Sequence, residues 1–124
     1  MTAGVLLILM LLFQVKHLLA DYVFQTRWMV ANKGRYGHPG GVVHAGLHAL
    51  LTAPVLLFAD VRAGLLVAIC LGEWLLHYHI DWTKDRLTRS RGLTTRDKGY
   101  WTLAGLDQSA HQLTYLLFLW ILIA

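Results

Sequence analysis

Four long apolar stretches constrain this chain more than any other feature of its sequence. They cover residues 3–22, 42–59, 63–82 and 103–123, and each is close to the roughly 20 apolar residues that a helix needs to cross a bilayer. Charged residues make up 15% of the chain, against roughly 25% in soluble domains. The pattern excludes an ordinary soluble domain. It predicts an all-α, polytopic membrane protein in which residues 1–124 form a single four-helix transmembrane bundle.

Lysine and arginine are concentrated at one side of this arrangement. Of the eleven in the chain, all but Lys16 and Arg62 fall in or beside the connections after the first and third spans. Because basic loops stay in the cytoplasm, both termini are expected outside and both basic connections inside. The first connection is the glycine-rich segment 32–41, the second is a tight turn at 60–62, and the third is a long polar segment at 83–102. The first span lacks a basic segment before it and a cleavage site, which favours a retained helix over a secretory signal.

The net charge of +4 does not by itself indicate a nucleic-acid partner. Nucleic-acid binding needs a basic face on a soluble module, whereas here the charge lies beside apolar spans. Membrane lipids are the expected partners, and the basic third connection would attract an anionic lipid or a phosphate-bearing substrate. Cys70 is the single cysteine, so no intrachain disulfide is expected.

Each span carries ionisable side chains four residues apart, a spacing that places them on one helix face. The sets are His17 and Asp21, His44 and His48, Glu73 with His77 and Asp81, and Asp107 with His111. An ionisable group at the centre of a span costs roughly 2.5–3.5 kcal/mol, so each of these groups needs a partner or a wet cavity. Every helix is therefore expected to present one polar ridge to the inside of the bundle.

The four ridges are expected at one depth in the membrane. Counting about 1.5 Å per residue, each lies roughly 8–10 Å inside the basic side. They fall near the C-terminal ends of the first and third spans and near the N-terminal ends of the second and fourth. Because consecutive helices alternate in direction, all four ridges should meet in the cytoplasmic half.

Imidazole and carboxylate groups without thiolates suit zinc, iron or manganese, and helix bundles build metal sites from such pairs. A divalent metal is the predicted cofactor, with up to two ions. Its candidate ligands are His17, Asp21, His44, His48, His77, Asp81, Asp107 and His111. Glu73, one turn deeper, or an unliganded carboxylate is the candidate general base. Lys16 is a candidate for stabilising developing negative charge, or it snorkels or pairs with Glu73.

Other polar residues are expected to support the site or to lie outside it. Gln25, Gln108 and Gln112 are placed to hold ligands, or they connect helices as amides. His79 lies on nearly the opposite face from His77, so an interfacial position is expected, and His38 in the glycine-rich loop is expected to be solvated.

The leading functional hypothesis is a metal-dependent membrane hydrolase, in which an activated water attacks an ester, amide or phosphoester. Two alternatives stay open. One is a component that transports ions or protons, and the other is a structural membrane subunit whose polar core only fixes helix packing. A second copy of the chain is a further candidate partner.

Four motifs in order complete the pattern, namely HLLADYVFQTRWM at 17–29, HAGLHA at 44–49, HYHIDWTK at 77–84 and DQSAH at 107–111. With them the chain resembles a bacterial family of small integral membrane proteins, domain of unknown function 3307. The resemblance covers nearly the whole chain. It implies a multi-pass protein of the bacterial inner membrane, and it supplies no activity. The similarity of the intramembrane His and Asp residues to those of membrane-bound metal-dependent hydrolases is an analogy only.

Overall fold

The computed structural model describes residues 1–124, and all of its regular secondary structure is helical. In chain order the helices are α1 (Ala3–Leu18), α2 (Arg27–Asn32), α3 (Pro39–Phe58), α4 (Ala63–Ser90) and α5 (Lys98–Ile123). A π-helical turn, Leu19–Val23, continues α1. Helix α3 packs against α1, α2 and α4, and α5 packs against α1 and α4.

Three helical segments are long and apolar enough to cross a membrane, namely Ala3–Val23, Pro39–Phe58 and Ala63–Ser90. Helix α5 has 26 residues but is not among the three, and it carries Lys98, Asp107 and His111. Large apolar side chains such as Leu7, Leu113 and Trp120 point away from the protein and are more than 60% exposed. Apolar helices with apolar outer faces point to membrane association.

Helix α3 begins at Pro39, three residues before the predicted start. Proline is favoured in the first turn of a helix, where its missing N–H leaves no hydrogen bond unmade. The His38 side chain caps this turn by accepting a hydrogen bond from Gly40 N at 3.0 Å. Two of the glycines that suggested a loop, Gly40 and Gly41, lie inside the helix. A Cβ on Gly41 would stand 3.1 Å from the Cα of Lys33, so glycine allows the two backbones to approach closely here.

Helix α4 continues to Ser90, so most of the predicted long polar connection at 83–102 is helical and that prediction is wrong. Residues 83–90 contain no glycine or proline, and Asp85 and Arg89 form an i,i+4 ion pair at 2.9 Å. The helix ends at Ser90, and Gly92, two residues later, has a φ of +61°, the left-handed conformation that glycine adopts readily. The true loop is residues 91–97, and α5 begins at Lys98, five residues before the predicted span.

The half of the molecule near the chain termini has an apolar core. It contains eight buried residues drawn from all four long helices, namely Leu9, Phe13, Val55, Leu56, Ile69, Tyr115, Phe118 and Leu119. The rings of Phe13 and Tyr115 stack with centroids 5.0 Å apart. The polar ridges lie on the other side of Tyr115.

Candidate functional site

Asp21 is the first of two carboxylates on which the buried histidines converge. His48 Nε2 lies 2.9 Å from Asp21 Oδ1, and His44 Nε2 lies 3.3 Å from the same oxygen. His17 Nε2 lies 3.0 Å from Asp21 Oδ2. Helices α1 and α3 thus contribute the three imidazoles around this carboxylate.

The helix that carries Asp21 changes from α-helical to π-helical geometry around this residue. The residue lies in the π-helical turn Leu19–Val23, where Phe24 N donates to Leu19 O at 2.8 Å across a wider turn than that of an α-helix. Such turns occur often at functional sites. The Gln25 side chain donates to Asp21 O at 2.8 Å just beyond the turn, so it supports this backbone.

Asp81 is the second carboxylate, and it is nearly fully buried. Its Oδ2 lies 3.2 Å from His44 Nε2 and 3.3 Å from His77 Nε2, and its Oδ1 lies 3.1 Å from His111 Nε2. Lys33 Nζ donates to Oδ2 at 3.4 Å. Helices α3, α4 and α5 therefore meet at Asp81, and the loop after α2 adds a cation.

His44 lies between the two carboxylates. Its Nε2 is 3.3 Å from Asp21 Oδ1, 3.2 Å from Asp81 Oδ2 and 3.3 Å from His77 Nε2. A single imidazole N–H cannot be donated to all three neighbours at once. His44 Nε2 thus lies within 3.3 Å of two carboxylate oxygens and one imidazole nitrogen, which form a compact set around it.

Two groups of side chains have ligand atoms close enough to one another to hold a metal ion. The first is Asp21, His44, His48 and His77, and the second is His77, Asp81 and His111; within each group the ligand atoms lie within 4.8 Å of one another. His77 belongs to both groups. Of the eight candidate ligands, His17 and Asp107 belong to neither, although both touch members of the cluster.

Asp107 lies at the edge of the cluster. Its Oδ1 is 3.5 Å from His111 Nε2 and has no hydrogen-bond partner, while Gln108 donates to its Oδ2 at 3.1 Å. Gln108 also lies 3.2 Å from His17 Nε2, so this amide links two candidate residues. Gln112 instead accepts from Gln14 at 2.6 Å, away from the cluster.

Lys16 and Glu73 form a separate buried pair one layer deeper. They make an ion pair with each other, with only 4% and 1% of their side chains exposed. Lys16 Nζ also donates to the carbonyl of His48 at 3.3 Å and lies 3.5 Å from His48 Nδ1. Of the alternatives for Lys16, pairing with Glu73 is the one observed, and the lysine side chain does not extend to the membrane surface. The catalytic roles of both residues stay predictions.

Two residues of the site escaped the sequence analysis. Tyr115 OH lies 2.7 Å from His17 Nδ1, and Lys16 Nζ lies 4.7 Å from the centroid of the Tyr115 ring. The sequence did carry a signal for Tyr115, because this residue lies four positions after His111 and therefore on the same face of α5. Lys33 had no periodic signal, because a loop rather than a helix face brings it to Asp81.

The electrostatic role of Lys33 follows from its surroundings. Burial of the ammonium lowers its pKa, but the carboxylates of Asp81, Asp21 and Asp107 raise it by more, so the pKa of Lys33 stands above its ordinary value. These carboxylates therefore favour the charged form of Lys33. It also donates to Gln25 Oε1 at 3.1 Å, which ties the loop to the end of the π-helical turn.

The two remaining histidines lie outside the cluster, as expected. His79 is exposed and lies 3.0 Å from Tyr36 OH, and His38 caps α3. His79 lies on nearly the opposite face of α4 from the buried His77, which makes it a natural control residue.

The fold and the cluster together define an all-helical, membrane-associated protein with buried histidines gathered around two aspartates. The sequence profile of the protein of unknown function DUF3307 matches residues 6–124, and the chain belongs to this family. The resemblance noted from the four motifs is thereby confirmed. No curated protein and no solved structure matches the chain.

Proposed function

We propose that the buried His/Asp cluster binds a divalent metal ion and that the protein is a metal-dependent hydrolase of the membrane. The spacing around His44 Nε2 carries this proposal. Adjacent ligand atoms around a tetrahedral zinc ion, with bonds of about 2.0–2.1 Å, are about 3.3 Å apart. The distances from His44 Nε2 to Asp21, Asp81 and His77, and that from His77 to Asp81, are all 3.2–3.3 Å.

The charge of the cluster supports a divalent cation. Three carboxylates, those of Asp21, Asp81 and Asp107, are accompanied by one ammonium, that of Lys33. With neutral histidines, two negative charges are left in a region that burial makes costly for charge. One zinc, iron or manganese ion would neutralise them.

The surrounding contacts divide the residues into ligands and supports. Asp21, His44, His77 and Asp81 are the proposed ligands, with His111 next to Asp81. His48 is a support in this proposal, because its Nδ1 faces the Lys16 ammonium at 3.5 Å. A neutral His48 with a lone pair on Nδ1 carries its proton on Nε2 and donates it to Asp21.

Hydrolysis is the proposed reaction because His and carboxylate ligands are those of hydrolytic zinc centres. A bound ion would supply a Lewis acid that activates water. Water adds to the carbonyl or phosphoryl centre, the bond to the leaving oxygen or nitrogen breaks, and the leaving group takes a proton. Asp107 Oδ1, which has no hydrogen-bond partner, is the carboxylate placed to accept the proton from water. Lys33, whose Nζ lies 3.4 Å from Asp81 Oδ2, would stabilise the developing negative charge.

Location and topology are part of the same proposal. We place the protein in the bacterial inner membrane with α1, α3, α4 and α5 each crossing once, both termini outside and the basic segments inside. The concentration of Lys and Arg near the loops after α1 and α4 supports this orientation. Reporter fusions at Ala124 and in the 91–97 loop measure it, and a cytoplasmic C-terminus would contradict it.

A structural polar core is the second candidate, because three histidine–carboxylate contacts, His17–Asp21, His48–Asp21 and His111–Asp81, have distances of 2.9–3.1 Å that also fit hydrogen bonds. Transport is less well supported, since the apolar core around Phe13 and Phe118 closes the other half of the molecule.

Metal content of the purified protein, prepared without chelator, separates these candidates. We expect close to one zinc, iron or manganese ion per chain, and a fall on the order of 100-fold in affinity in His77→Gln and Asp81→Asn. The matched control is His79→Gln, which removes an exposed histidine from the same helix and should keep the metal. No metal in the parent protein, or equal metal in all variants, would favour the structural core.

A further inference from the structure

A lipid-facing groove runs between α4 and α5 beside the cluster. It encloses about 380 Å³ and is lined mainly by aliphatic side chains, among them Leu76, Ile80, Leu103 and Leu106. The α4 positions that line it follow helical spacing, so they form one continuous face of the helix. A groove of this kind, open to the side on a membrane-associated helix pair, is suited to a hydrocarbon chain.

One end of the groove is cationic. Lys84 lines it, and the only lysines that pair with carboxylates in the structure are Lys16 and Lys33. The ammonium of Lys84 is thus available for a negative group outside the protein. It also lies on the basic side of the molecule, where anionic lipid headgroups are attracted.

The groove also reaches the cluster. Asp107 lines it, and the Oδ1 of this residue, buried and without a hydrogen-bond partner, is 3.5 Å from His111 Nε2. His111 in turn contacts Asp81 at 3.1 Å. A molecule in the groove would therefore lie next to the outermost carboxylate of the site.

We propose that this groove holds one acyl chain of an anionic membrane lipid, with the headgroup at Lys84 and the polar part of the lipid beside Asp107. The proposal rests on the proposed hydrolase function, for which it names the substrate class as anionic lipids. The lipid enters sideways from the bilayer and needs no aqueous channel.

A second groove on the same molecule provides the matched control. It lies between α3 and α4, encloses about 330 Å³ and is lined by residues such as Ala53, Leu66 and Leu71, with no charged side chain. It offers acyl chains a similar apolar surface but lacks a cation and does not reach the cluster. The proposal predicts that anionic lipid binds in the α4/α5 groove in preference to the α3/α4 groove.

The test is native mass spectrometry of the whole protein released from nanodiscs that contain phosphatidylglycerol or phosphatidylcholine. The variants are Ala110→Phe, which fills the α4/α5 groove, Lys84→Gln, and the control Ala53→Phe in the other groove. We expect retained phosphatidylglycerol to fall roughly fivefold in Lys84→Gln and to be lost in Ala110→Phe. Ala53→Phe should retain it, and phosphatidylcholine should not respond to Lys84→Gln.

Metal content and thermal stability of the same samples separate this inference from the proposed function. Normal metal with equal phosphatidylglycerol in all variants would overturn the lipid site alone. Absent metal with selective lipid loss would overturn the hydrolase and the role of the lipid as its substrate, but would leave the lipid site in place. Lys84→Gln alters a half-buried side chain that pairs with no carboxylate, so it remains informative if Ala110→Phe unfolds. Dissociation of a dimer by Ala110→Phe with lipid unchanged would show that a second copy occupies the groove and would overturn the lipid proposal.

Discussion

The two halves of this protein hold the same four helices together by different forces. Near the termini, side chains such as Phe13, Leu56 and Phe118 pack with no polar contact among them, whereas most of the large buried side chains in the half near α2 are ionisable. In a bilayer, apolar packing competes with equally apolar lipid and specifies helix register only by shape. The histidine–aspartate contacts are directional, so the polar half is the one that fixes which residues face each other.

The border between the halves is formed by Lys16, Glu73 and Tyr115. The Lys16–Glu73 pair is almost fully buried, and Tyr115 touches Phe13 on one side and His17 on the other. Substitutions at the border, in the apolar half and in the polar half should therefore differ in how much they lower thermal stability and metal content.

The largest effect on stability is expected from breaking the buried ion pair. Lys16→Met leaves the Glu73 carboxylate without its cation, and removing one partner of such a pair typically costs about 3–5 kcal/mol. We expect a large drop in the thermal unfolding temperature of the detergent-solubilised protein. The double variant Lys16→Met/Glu73→Leu removes both charges and should recover most of that loss. If the single and double variants are equally unstable, the pair is not the source of the effect.

A smaller loss is expected in the apolar half. Phe13→Ala removes a buried ring that stacks on Tyr115, and the resulting cavity should cost roughly 1–3 kcal/mol, less than in water because lipid is an equally apolar alternative. Metal stoichiometry should stay normal, since the ring of Phe13 packs on the aromatic rings of Tyr115 and Phe118 and carries no polar group toward the cluster. A loss of metal larger than that in His77→Gln would show that the two halves are not separable.

The sequence predicted the residues of the polar half better than it predicted the connections between the helices. Spacing of four residues was enough to place His44 beside His48 and His77 beside Asp81, because helical periodicity brings such residues to one face. Depth counting correctly brought Asp21, from the end of the first span, together with residues at the start of the second. These inferences need only regular helices.

The features of the site that the sequence did not predict depend on irregular backbone and on which side chains pair across helices and loops. The π-helical turn at Asp21 has no composition signal, and Lys33 reaches Asp81 through a loop whose path is set by packing against α3. The glycines at 40 and 41 suggested a loop because close backbone packing inside a helix calls for the same residue. The extension of α4 to Ser90 was missed because the polar residues after Trp82 were interpreted as the end of the helix rather than as its continuation beyond the apolar span.

The smallest effect on stability, and the sharpest test of the border, comes from one hydroxyl. Tyr115→Phe keeps the ring against Phe13 but removes the OH that lies 2.7 Å from His17 Nδ1, and His17 contacts Asp21 through its other nitrogen at 3.0 Å. The stability loss should be about 1 kcal/mol, typical of a single hydrogen bond. Metal affinity should fall by roughly tenfold, because His17 loses the partner that orients it toward Asp21.

Thr114→Val is the matched control for Tyr115→Phe. It removes a neighbouring hydroxyl on α5 that donates only to the carbonyl of Ala110 in its own helix, at 3.0 Å. Both variants should show similar small stability changes, but only Tyr115→Phe should weaken metal binding, measured by competition with a chelator. Because the two hydroxyls differ in whether they reach a histidine, equal metal affinity in the two variants would mean that Tyr115 belongs to the apolar core alone and that His17 is oriented without it.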